Sequence, residues 1–209
     1  MSADTVILGN MIIITDTHFL PEEANIINGL FEHGLNSLHI RKPYATISDM
    51  DQIIKKIDEK YHPHIMIHSH YELIQKYRLK GIHFTEKEKN QIPLYNTINC
   101  FKSTSIHSLE ALMEVPLMIN YVFLSPIFSS VSKQGYEMKW NFHELKRLLN
   151  EKHEFKVVAL GGITSHNMAQ VKELGFDDYA VLGSIWEPYK NGAKKSEVIE
   201  LFKHLKNEF

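Results

Sequence analysis

The sequence predicts a compact (β/α)8 barrel. Three observations predict it: eight short apolar runs rich in β-branched residues, amphipathic segments after most of them, and glycine-bearing turns after the last two runs. Runs and segments recur at intervals of about 20–25 residues, the rhythm of parallel βαβ units. The runs are nearly all apolar, as strands covered on both faces must be. An open doubly wound sheet is the competing architecture. The count of eight favours closure, although barrels of this type run to about 250 residues, so this one is compact.

Taken in order, residues 11–15 (MIIIT) read as the first strand and residues 21–33 as a helix with Pro21 in its first turn. Residues 36–41 (NSLHIR) form the second strand, and residues 48–60 a helix with Ser48 as N-cap. The third strand is residues 64–68, followed by a helix over 71–78, and the fourth is residues 81–84 (GIHF). Residues 99–104 make the fifth, with a helix over 108–115, and residues 121–125 (YVFLS) the sixth, with a helix over 141–151. Residues 156–160 (KVVAL) are the seventh, before a helix over 165–174 that Gly175 stops. Residues 179–182 (YAVL) are the eighth, and a helix over 194–206 closes the chain. No linker or low-complexity stretch interrupts residues 11–209, which read as one domain. Residues 1–10 (MSADTVILGN) precede a second methionine and read as a tag or alternative start, outside the fold.

The chain is 44% hydrophobic and 23% charged, with a formal net charge of −2, so neither nucleic acid nor an anionic membrane surface is the expected partner. Cys100 is the single cysteine, which excludes an internal disulfide and suits a reducing cytoplasm. No apolar run approaches the ~20 residues of a membrane span.

In such a barrel the chemistry sits at the C-terminal ends of the strands. Those ends carry Asp16; Arg41 and Lys42; His68, Ser69 and His70; His83; Glu86 and Glu88; Ser105 and His107; the serines and lysine of residues 129–133; Gly161 and Gly162; and Gly183 and Ser184. The glycine turns after strands seven and eight are the strongest signal. Barrels commonly hold a phosphate there, because glycine lets the backbone approach an anion and helix starts present free N–H groups. Ser130, Ser132 and Lys133 form a second anion cradle of hydroxyls and charge. Arg41, one of three arginines, closes an apolar strand, where a phosphate, a carboxylate or a structural acid such as Asp16 would satisfy it.

These residues carry a family resemblance. The order Thr15-Asp16, His39-Ile40-Arg41-Lys42, Gly81-Ile82-His83, Ser105-Ile106-His107, Ser125-Pro126-Ile127-Phe128 with Ser130, Ser132 and Lys133, and Ala159-Leu160-Gly161-Gly162-Ile163 with Asn167 resembles the thiamine phosphate synthase/TenI family (thiamine-phosphate pyrophosphorylase-like). The resemblance implies a (β/α)8 barrel of thiamin biosynthesis that binds a thiazole phosphate. Synthases of the family join a pyrimidine pyrophosphate to that thiazole, releasing pyrophosphate with the help of Mg2+. TenI proteins tautomerise a thiazole carboxylate phosphate and require no metal. Gly161, Gly162, Gly183 and Ser184 are the implied phosphate grip. Arg41, Lys42, Ser105, Ser130, Ser132 and Lys133 are the implied anion or pyrophosphate residues.

The departures favour the tautomerase branch. Synthases carry Gln-Leu-Arg-x-Lys after strand two, and here the glutamine position is His39 and the lysine position Pro43. They carry a magnesium-binding aspartate after strand three, and here that position is Ser69; the second acidic position is Glu88, a thin metal site alone. His107 is the expected proton shuttle, with His68 and His83 as further catalytic candidates, since imidazole takes and returns protons near neutrality. A zinc site on His64, His68, His70 and His83 is disfavoured, because His64 lies at the far end of its strand and His68 and His70 meet only if the strand stays regular. The expected function is therefore a cofactor-free thiazole tautomerase. The alternatives are a Mg2+-dependent thiamine phosphate synthase and a non-catalytic phosphate-ligand binding protein. Oligomeric state, homo-oligomer included, stays open.

Overall fold

The computed structural model describes residues 11–129 and 140–208. Eight parallel strands close into a barrel in strict chain order: β1 (Ile12–Ile14), β2 (Leu38–Ile40), β3 (Ile65–Ile67), β4 (Gly81–Phe84), β5 (Phe101–Ile106), β6 (Tyr121–Leu124), β7 (Lys156–Leu160) and β8 (Asp178–Val181). Closure is direct: β1 pairs with β2 on one side and with β8 on the other. The α-helices are α1 (Glu23–Glu32), α2 (Ile47–Lys56), α3 (Leu73–Tyr77), α4 (Phe142–Leu149), α5 (Met168–Leu174), α6 (Gly183–Lys190) and α7 (Lys195–Asn207).

Alternation along each strand divides the core in two. Ile13, Leu38, Ile40, Ile67, Ile82, Val122 and Val157 face outward and are buried against the helices. Each such aliphatic side chain contributes about 1.5–3 kcal/mol by leaving water. Ile12, Ile14, Met66, Tyr121, Phe123, Val158 and Ala180 face inward and fill the lower barrel. Gly81 is required on that inner face, since a Cβ there would lie 2.0 Å from the Phe101 carbonyl oxygen.

Several elements differ from the sequence expectation, each for a local reason. Thr46, not Ser48, caps α2: its hydroxyl accepts from Asp49 N–H at 3.2 Å while the Asp49 carboxylate accepts from Thr46 N–H at 2.9 Å. That helix ends at Lys56, and Glu59–His64 forms a 3₁₀ turn around Pro63, which lacks the donor an α-helix needs. The helix expected over residues 108–115 is only a 3₁₀ turn, Glu110–Glu114. A second long 3₁₀ stretch, Glu86–Tyr95, takes the place of a helix after β4. The short helix α6, inserted between β8 and α7, has no counterpart in the expected elements. Trp186 anchors it, fully buried, with its indole N–H donating to the Ile14 carbonyl at 2.8 Å. Among the described residues no helix is long and apolar enough to cross a membrane. The tag or alternative start expected at residues 1–10 lies outside the described residues.

Candidate active site

The β7–β8 side of the barrel mouth is made mostly of backbone. Gly161 and Gly162 follow β7 with φ of 95° and 65°, conformations that side-chain-bearing residues adopt at a cost. Space is also closed to them: a Cβ on Gly161 would meet Pro126 Cα at 2.8 Å, and one on Gly162 would meet the Phe128 carbonyl oxygen at 2.7 Å. The close approach is sealed by Ile127 N–H donating to the Leu160 carbonyl (3.0 Å) and Phe128 N–H to the Gly161 carbonyl (3.1 Å). Asn167 turns the chain into α5, its side-chain amide donating to the Gly162 carbonyl at 2.7 Å and its oxygen accepting from Thr164 N–H at 2.9 Å. The Ser184 hydroxyl donates to the Ile163 carbonyl and so ties the β8 loop to the β7 loop. Helix α6 begins at Gly183, directly after β8, so its first-turn N–H groups and dipole open onto the same end of the barrel. Two glycine loops plus the N-terminus of a short extra helix form the arrangement in which barrels hold a phosphate.

The β2–β5 side is made of side chains. Inward register places His39 level with Met66, and Met66 level with Gly81, so His68 and His83 stand one step higher on neighbouring strands. All three imidazoles are buried. His68 and His83 stack at 4.2 Å between ring centroids, and His39 Nδ1 lies 2.9 Å from His68 Nε2. Tyr121 Oη holds the other nitrogen of His39 at 2.6 Å. Ser103 and Ser105 hydroxyls flank His83, 2.9 Å from Nδ1 and 3.1 Å from Nε2. Burial, and secondarily the repulsion that a second proton on the adjacent His83 would bring, hold His39 well below the usual imidazole range. Burial acts first on His68 and His83 too, with Arg41 adding to both, and His83 falls to about 3. The rings are therefore neutral at physiological pH.

The remaining sequence candidates divide. Arg41 is exposed at the mouth, its backbone N–H donating to the Thr15 hydroxyl at 2.9 Å and its charge felt by His68 and His83. Lys42 is not at the mouth. It is buried, with its ammonium donating to the Glu23 carboxylate at 2.7 and 2.8 Å and to the Asp16 and His18 carbonyls. As an anion ligand Lys42 must be withdrawn, because its donors are already spent. Asp16 pairs with Lys190 of α6 at 3.2 Å instead of with Arg41. His107 stands beyond β5, its Nδ1 2.7 Å from the Ser125 carbonyl and its Nε2 3.4 Å from Glu86. The carbonyl can only accept, so Nδ1 carries a proton. Ser130, Ser132 and Lys133 lie outside the described residues.

Glu88, the candidate metal ligand, is a capping residue. Its carboxylate accepts from the Thr85 N–H (3.2 Å) and hydroxyl (2.6 Å) and from the Tyr71 hydroxyl (3.3 Å). Its partner position, Ser69, is a buried hydroxyl without a hydrogen-bond partner. A hard cation such as Mg2+ wants several oxygen ligands with carboxylate charge. Ser69 and a committed Glu88 do not fit it. Of the histidines around β3, His64 meets the Asn36 carbonyl at the opposite end of the barrel and His70 turns outward to the Ala45 carbonyl at 2.8 Å. His39 was not among the expected site residues. The signal for it was present, an imidazole two places before Arg41 on an otherwise apolar strand.

Comparison with known proteins agrees with this geometry. The thiamine monophosphate synthase (TMP-TENI) family model matches residues 11–185. A thiamine-phosphate synthase of Vibrio parahaemolyticus is 23% identical over 90% of this chain and 94% of its own, and one of Proteus mirabilis 22% identical over 76% and 77%. The crystal structure of a thiamine phosphate pyrophosphorylase from Bacteroides thetaiotaomicron superposes with a TM-score of 0.83 at 32% identity, covering 95% of this chain and 96% of that one. A barrel from Pyrococcus furiosus, at a TM-score of 0.74 and 19% identity over 96% and 97% of the two chains, shares the fold. By its barrel, its glycine loops and a family match across all eight strands, the chain belongs to the thiamine monophosphate synthase family.

Proposed function

We propose that this enzyme works on a thiazole phosphate in thiamin formation, as a thiamine-phosphate synthase. One observation carries the reading: the close-packed glycine loop of Gly161 and Gly162 beside the α6 start, tied together by Ser184, in a chain that shares its length and fold with proteins of that name. The preference for a tautomerase drawn from the sequence gives way here, because the relatives favour the coupling reaction. In that reaction the grip orients the thiazole so that its nitrogen attacks the pyrimidine methylene carbon while the bond to pyrophosphate breaks. Arg41, exposed at the mouth, meets the growing negative charge of the leaving group, and Ser105 supplies a hydroxyl below it. Ser130, Ser132 and Lys133 complete that role in the family pattern. No step is assigned to Lys42 or to Glu88.

A second reading, thiazole tautomerisation, is supported by His107, whose Nδ1 is held by the Ser125 carbonyl and whose Nε2 lies 3.4 Å from Glu86. The two readings separate in one assay. The protein is incubated with pyrimidine pyrophosphate and thiazole phosphate, with and without Mg2+, and in parallel with the thiazole carboxylate phosphate. Thiamin phosphate formation, reduced at least tenfold in Arg41→Gln, is the expected result. Isomerisation without coupling, lost in His107→Ala, would replace it with the tautomerase. Neither product, with thiazole phosphate still bound, would leave a binding protein.

A further inference from the structure

We propose that His39, His68 and His83 form a three-imidazole site for a borderline divalent transition cation, with Zn2+ as the reference ion, inside the mouth of the barrel. The three come from successive strands, β2, β3 and β4, and each offers one nitrogen such that the three atoms lie within 4.8 Å of one another. A tetrahedral ion with Zn–N bonds of about 2.0–2.1 Å needs nitrogens roughly 3.3 Å apart. The 2.9 Å separation of His39 Nδ1 and His68 Nε2 lies below that value and the 4.8 Å limit for the set above it, so binding requires the stacked His68 and His83 rings to turn and separate around the ion.

The surroundings are those of a ligand set. Metal-binding imidazoles hold their outer nitrogen to a fixed partner, which sets tautomer and ring orientation. Tyr121 Oη does this for His39 at 2.6 Å, and Ser103 Oγ for His83 at 2.9 Å; the ligand nitrogens are then His39 Nδ1, which now meets His68 Nε2, and His83 Nε2, which would exchange its 3.1 Å contact with the Ser105 hydroxyl for the ion. His68 alone lacks such an outer partner: its Nδ1 is buried without one. A cation taking one lone pair from each ring gives the cluster a reason to be assembled in the dry interior.

The donor chemistry selects the ion. Three neutral nitrogens with no carboxylate suit Zn2+, Co2+, Ni2+ or Cu2+ and not Mg2+ or Ca2+. Three protein ligands leave a fourth position, on the side of Ser105 and Arg41. The Arg41 charge opposes a bare cation there, so an anionic oxygen is the matching fourth ligand. The site is independent of which reaction the chain runs.

The test uses the full chain without a polyhistidine tag, stripped with chelator and titrated with Co2+. One equivalent is expected to bind, with the intense visible bands of a four-coordinate ion, displaced by Zn2+ and unaffected by millimolar Mg2+. His68→Ala should weaken binding at least tenfold, and Tyr121→Phe, which removes only the outer hydroxyl, by about 10–100-fold. His64→Gln, at the far end of the barrel, should leave it unchanged. Because core variants can unfold, ¹⁵N shifts of the imidazoles on adding Zn2+ to the unmodified chain provide the second measurement, and His39, His68 and His83 should be the rings that move. Absence of saturable Co2+ binding, bands that persist in His68→Ala, or shifts confined to other rings would each overturn the proposal.

Discussion

The two sides of the barrel mouth are built by opposite means. Around β7 and β8 the surface is backbone: two glycines at positive φ, a hydroxyl staple between loops and the open start of α6. Around β2 to β4 it is side chain: three buried imidazoles, a tyrosine, serines, and an arginine above them. A surface made of backbone keeps its shape whatever the side chains around it. A side-chain cluster is the part that can change chemistry between relatives without disturbing the fold. The departures from the synthase pattern, His39, Ser69 and the displaced lysine, all fall on this second side.

The largest expected effect tests whether that side is held together by charge. Glu23→Ala leaves the Lys42 ammonium buried without its carboxylate, and unfolding in urea should show a loss of about 3–5 kcal/mol. A change below 1 kcal/mol would mean that the pair is dispensable and Lys42 free to serve the mouth after all. On the other side, Gly162→Val forces a β-branched residue to φ 65° against Phe128, and a loss of about 1–3 kcal/mol is expected, together with loss of thiazole phosphate binding. Unchanged ligand affinity in a folded Gly162→Val protein would take the grip away from this loop.

The third test concerns pH. His39, His68 and His83 are held neutral by burial, so the unfolded chain binds protons near pH 6.5 that the folded chain refuses until far lower, about 3 for His83. Stability from these groups is thus complete above pH 6.5 and declines as pH falls, by up to about 1.4 kcal/mol per pH unit for each ring. Urea midpoints in chelator between pH 7.5 and 5 measure it, and His83→Gln should flatten the slope by one ring's share. Equal slopes in both proteins would show that His83 is already charged or hydrated.

How much was legible in the sequence follows the same division. The eight strands and the glycine turns were readable because apolar runs, spacing and Gly-Gly are local properties of the chain. Gly175 likewise stops α5 at the expected place, at φ 94°. Helix α6 escaped notice because Pro188 and a half-apolar pattern hide it, and its helical turns depend on the buried seat of Trp186. Lys42 looked like a ligand from its neighbour Arg41. Alternation along the strand sends adjacent side chains to opposite faces, one to the mouth and the other to Glu23 on α1.

By itself the sequence determined the closed barrel of parallel units, the glycine turns of the last two loops and membership of the family, since periodicity and motif order need no third dimension. Only the tertiary structure decided which histidines act together. Residues 39, 68 and 83 share no sequence motif. They meet because three strands spaced by about 4.8 Å aim alternate residues at one axis, a proximity that barrel closure creates and the linear order of the chain does not record.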